Sequence, residues 1–112
     1  MAYNSNALTC FAQAAGPIGM KIWVYDTVDV TTDVDGAGYI TDAKERGMEK
    51  GDLVYVRIWT TAIPAATSEK QTAAGSANIL TAMGTHVCLG LHATTGAADL
   101  TNVTALTVTN SD

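Results

Sequence analysis

Leu53-Val54-Tyr55-Val56-Arg57-Ile58-Trp59, introduced by the turn Lys50-Gly51-Asp52, is the clearest strand in this 112-residue chain and organises the rest. Its β-branched and aromatic residues favour extended backbone, and the Gly-Asp pair before them supplies a tight turn. Side chains alternate along a strand, so Val54, Val56 and Ile58 share one face and Tyr55, Arg57 and Trp59 the other. Lys21-Ile22-Trp23-Val24-Tyr25 repeats the pattern, with Ile22 and Val24 opposite Lys21, Trp23 and Tyr25. The aliphatic faces read as domain core. The aromatic-plus-cation faces read either as interface anchors, where Tyr, Trp and Arg are enriched, or as a second layer of one small sandwich.

Working outward, residues 1–19 read as an N-terminal arm ahead of one β-rich domain, 20–112. Residues 1–13 read as the arm proper, with a polar start, Tyr3-Asn4-Ser5-Asn6, and Leu8, Phe11, Ala12 and Ala15 able to form one short apolar stripe. Gly16-Pro17-Ile18-Gly19 breaks any helix there. So short an arm cannot bury its apolar residues alone; it should dock on its own domain, a sister subunit or a partner. Residues 26–34 read as a loop with a short extended piece, and Asp35-Gly36-Ala37-Gly38 as a turn. Thr41 can cap a short helix through residues 42–46, with Gly47 as its stop. Residues 60–77, rich in Ala, Thr and Ser, read as a long loop. Further strands are expected at 78–83, 86–93 and 103–108, with residues 94–99 punctuating the last two. The expected class is mainly β: a small antiparallel sandwich or partly open barrel, with an extended arm and one short helix.

Only 15% of the residues are charged, against roughly a quarter in an ordinary soluble domain. A domain of this size leaves much of its surface outside, so the sparse charge suggests a surface partly covered by another protein. The net charge of -5 argues against a sequence-independent nucleic-acid binder or a cationic membrane helix. No apolar run approaches the ~20 residues of a spanning helix, and the uncharged N-terminus makes a poor signal peptide.

Candidate chemistry is thin. Cys10 and Cys88 read as two small hydrophobes or as a long-range or inter-subunit disulfide. His86, Cys88 and His92 fall on one side of their strand, yet a closed zinc site needs four ligands and the chain has no other Cys/His pair. That face is expected to meet solvent or a neighbour. Thr31-x-Asp33-x-Asp35-Gly36 with Asp42 resembles a calcium loop in its oxygens, but lacks the first acid, the final Glu and the flanking helices. Sugar stacking on Trp23 or Trp59 is a further option. No nucleophile elbow, phosphate loop or dinucleotide fingerprint is present, so no enzyme, cofactor or metal is expected.

The motifs running from Tyr3-Asn4-Ser5-Asn6-Ala7-Leu8 and Trp23-Val24-Tyr25 through Asp35-Gly36-Ala37-Gly38-Tyr39-Ile40 to Gly47-Met48 and Gly51-Asp52-Leu53-Val54 carry a resemblance. Over roughly residues 3–54 the chain resembles small proteins of alphaproteobacterial tailed phages and prophages, with an N-S-N-x-L start, then W-x-Y-x-T, V-D-x-A-G-Y, G-M and G-D-L. The resemblance implies a virion component: head decoration, cement, spike or fibre, often trimeric. It implies a homotrimer that binds major capsid protein, located in the virion after assembly in the host cytoplasm. The alternative is a tail- or collar-associated fibre or adaptor that contacts host glycan. Expected interface anchors are Tyr3, Leu8, Phe11, Trp23, Tyr25, Tyr55, Arg57 and Trp59.

Overall fold

A computed structural model describes residues 3–14, 16, 18–36, 38–65, 67–73 and 78–108. Six strands form one sheet: β1 (Leu8–Gln13), β2 (Lys21–Thr27), β3 (Leu53–Trp59), β4 (Leu80–Leu91), β5 (Ala98–Leu100) and β6 (Thr104–Leu106). Their order is β1-β2-β3-β4-β5, with β6 also paired to β4. All pairings are antiparallel except β2 with β3, which is parallel. A parallel pair needs a crossover, and residues 28–52 provide it, carrying helical turns α1 (Thr31–Val34) and α2 (Ala43–Arg46). A third helical turn, α3 (Thr67–Lys70), lies between β3 and β4.

Register decides what is inside. Trp23 stands beside Val54, and Tyr25 beside Val56, so β2 contributes its aromatic side to the face on which β3 places its valines. That face packs against Val34, Ile40, Ala43 and Met48 of the crossover in one core cluster. The expected core residues Ile22 and Val24 therefore lie on the opposite face, half-buried beside Leu53 and Tyr55. The reason is chemical as well as geometric. The Trp23 indole is 2% exposed and donates Nε1–H to the Asp52 carboxylate at 3.0 Å, so its one polar atom is satisfied inside.

Several element boundaries differ from expectation. Residues 8–13 of the expected arm are an edge strand, and β1 and β2 form a hairpin closed by Ala14 N–H to the Met20 carbonyl at 2.9 Å. The expected loop 26–34 begins as the end of β2 and continues into α1, whose Val34 is fully buried. The short helix appears as α2, stopped as expected by Gly47 at φ 94°. Its N-cap is Asp42, whose carboxylate makes no capping bond and instead accepts the Tyr3 hydroxyl. The strands expected at 78–83 and 86–93 are one continuous strand, β4. Part of the expected turn 94–99 is β5.

Candidate functional site

The N-terminal segment is strapped to the body. Tyr3 Oη donates to Asp42 at 2.6 Å, Asn4 N–H donates to Tyr25 Oη at 3.0 Å, and Arg46 donates to the carbonyls of Ser5 and Leu8. The rings of Tyr3, Tyr25 and Tyr39 cluster with centroids 5.6–5.9 Å apart. Tyr39 Oη donates to Asp29 at 2.5 Å and shares a 2.8 Å hydrogen bond with Tyr25. Burial, then the bond to Asp42, holds the Tyr3 phenol well above its ordinary range. Burial and the bond to Asp29 do the same for Tyr39. Of the three docking options for the residues before β1, this one is docking on the chain's own domain.

The expected anchors separate into two groups. Leu8, Trp23, Tyr25 and Trp59 are interior, at 1%, 2%, 0% and 8% exposure, and their assignment as surface anchors is corrected accordingly. Trp59 Nε1–H donates to Asp26 at 3.1 Å; the ring is buried beside Asp26 and Arg57 and outside the core cluster. Tyr3, Tyr55 and Arg57 are half-buried, and Phe11 is 58% exposed. Arg57 grips Asp26 through two hydrogen bonds, at 2.7 and 2.9 Å, and stacks over the Trp59 ring. That arrangement neutralises both charges in place.

Cys10 and Cys88 are both free, Cys10 exposed and Cys88 buried. They sit on strands three steps apart, about 14 Å at sheet spacing, whereas a disulfide needs Cα atoms within about 7 Å. The bond between them within one chain is thus excluded. Burial pushes the Cys88 thiol up, consistent with an inert side chain. His86 is also interior rather than facing solvent. Its Nδ1 lies 2.9 Å from the Thr101 carbonyl and must donate to it, leaving Nε2 as the acceptor, which meets no partner among the described residues. His92 is exposed past the end of β4, its Nδ1 accepting from the Thr94 and Thr95 amides. The strand therefore does not gather His86, Cys88 and His92 into one site. Among the described residues no three His, Cys, Asp or Glu side chains converge.

Two features lay outside the sequence reading. A cleft of about 390 Å³ opens between Gly38, Leu91, His92, Ala97 and Asp99. It is lined by apolar Leu91, Ala97 and Ala98 together with His92, Thr95 and Asp99, and no nucleophile is paired to a base there. The more extensive feature is exposed apolar surface on the β1–β2 hairpin, where Ile18 is 96%, Phe11 58% and Met20 47% exposed. The first twenty residues contain no charged side chain at all. That absence was visible in the sequence; the turn that pushes Ile18 outward was not. No helix among the described residues is long and apolar enough to cross a membrane.

Comparison with protein-family models, with curated proteins and with solved structures returns no match for this chain.

Proposed function

We propose that this chain is a structural virion subunit, a capsid decoration, cement or head-spike protein that works as a homotrimer bound to major capsid protein. The observation that carries the reading is the first twenty residues, free of charged side chains, with Phe11, Ile18 and Met20 exposed. Large apolar side chains left exposed on one hairpin suit a contact surface. Fixed to a rigid sheet at β2, it suits insertion into an apolar groove of a partner. The mechanism is added contact area without chemistry: an interface of about 1,600 Å², repeated over a shell, holds neighbouring capsid subunits against internal pressure. In this reading the second layer of the sandwich forms between subunits rather than within one chain. No nucleic acid, membrane or cofactor takes part.

The fibre reading with a glycan contact is less well supported. It asks for an accessible indole, and Trp23 and Trp59 are interior with their N–H groups donated to Asp52 and Asp26. Quantitative mass spectrometry of purified particles tests the proposal. A symmetric shell repeats its sites, so the expected count is on the order of hundreds of copies per particle. A dozen or fewer would assign the chain to a neck or tail, and none would remove it from the virion.

A further inference from the structure

We infer that the open face of the sheet, opposite the crossover, is where copies of this chain meet one another. The inference rests on the proposed reading that the chain works as an assembled subunit, and it assigns the homotypic contact to one surface. Register lays that face out in three rows. Ile22, Leu53 and Val87 form the first; Val24, Tyr55, Thr85 and Thr104 the second; Asp26, Arg57, Met83 and Leu106 the third. None of these side chains joins the core cluster or packs against it. Ile22, Val24, Leu53, Tyr55 and Met83 are half-exposed, while Val87 and Leu106 reach 39% and 42%.

Charge indicates what covers it. The chain carries a net -5, yet these three rows hold one acid and one base, joined in a bidentate pair; Asp99, which alternates outward from the buried Ala98 and Leu100, lies beyond them on β5. Asp29, Asp33, Asp35, Asp42, Glu45 and Glu49 belong to the crossover, which packs on the other face. Two copies meeting through their open faces therefore bring together neutral surfaces and keep their surplus acid apart. A strongly charged partner would find nothing here to steer it. The partner that fits is flat, apolar and neutral, and every other copy of the chain presents such a surface. The Asp26–Arg57–Trp59 group is already satisfied internally, so burying it leaves no unpaired charge. Three such sheets closing about one axis, open faces inward, would give the trimer of the proposed reading.

Sedimentation velocity on the purified full chain tests the assignment, with Val24→Lys and Val87→Glu as variants. The expected wild-type species has about three times the 11.6 kDa of one chain, and both variants fall to a single chain with unchanged circular dichroism. Val87 is exposed enough that Val87→Glu carries the test alone if Val24→Lys unfolds. A wild type of two copies that the variants dissolve also supports the face and corrects the number. A monomeric wild type overturns the inference, as do variants that remain assembled. Ile18→Asp separates the two proposals: it should leave this assembly intact and abolish binding to capsids. Loss of capsid binding by Ile18→Asp alone upholds the capsid contact of the proposed function even where the face assignment fails.

Discussion

Three N–H groups converge on the buried Asp52 carboxylate: the backbone amides of Lys21 and Glu49 at 3.2 and 2.9 Å, and the Trp23 indole at 3.0 Å. One side chain thus fixes the start of β2, the turn before β3 and the orientation of the largest core ring. Removing it leaves three donors without their acceptor, so Asp52→Ala should lower the unfolding free energy by about 3 kcal/mol in a denaturant titration. The tyrosine cluster gives a second prediction at this scale. Tyr3 and Tyr39 have phenol pKa values raised in the folded chain, so their contribution is fully present below the ordinary Tyr value of about 10 and is lost as pH rises further. The denaturation midpoint should fall above about pH 10, and Tyr3→Phe with Tyr39→Phe should flatten that fall while lowering stability at neutral pH. A Cys88→Ala control isolates the thiol, whose raised pKa acts with the same sign. These networks join residues up to 41 positions apart, and nothing local in the sequence pairs them.

Individual strands were largely legible; their pairings were not. β3 occupies the residues its composition indicated, and the Gly47 stop of α2 follows from local turn chemistry. Alternation also sorted the side chains of β2, and of β3 as far as Ile58, into two faces. What alternation cannot say is which face of one strand joins which face of the next. That depends on the parallel register of β2 and β3, and it placed Trp23 and Tyr25 inside. β4 failed for a different reason. The two strands expected at 78–83 and 86–93 left residues 84–85 out, yet Gly84 lies within β4, where a Cβ would run into Val103 Cγ2 and stand 3.1 Å from the Thr104 carbonyl oxygen. The glycine leaves room for the chain that forms β6. Gly84→Ala should cost about 1–3 kcal/mol through overpacking, and Val103→Ala should recover part of the lost melting temperature. Full independence of the two substitutions would show that this contact does not matter.

At the scale of the whole molecule, sparse charge is divided unevenly. The crossover over one face carries most of the acid, while the first twenty residues and the open face carry almost none. Composition raised the expectation of a covered surface. It could not locate that surface, because exposure of Phe11 and Ile18 depends on the hairpin turn, and exposure of Val24 and Tyr55 on the register of the sheet. Of the expected anchors, Phe11 is exposed, Tyr3, Tyr55 and Arg57 are half-buried, and Trp23, Tyr25, Leu8 and Trp59 are buried within the chain. Stability separates the two classes. Trp23→Ala should cost about 3–5 kcal/mol by loss of a buried ring, and Phe11→Ser within about 0.5 kcal/mol, in parallel denaturant titrations. The most direct measurement is co-sedimentation of the purified chain with capsids that lack it, comparing wild type with a Phe11→Ser, Ile18→Asp variant of equal stability. The account predicts saturable binding of the wild type and a variant that stays in the supernatant; a wild type that does not bind, or a variant that binds equally well, would contradict it.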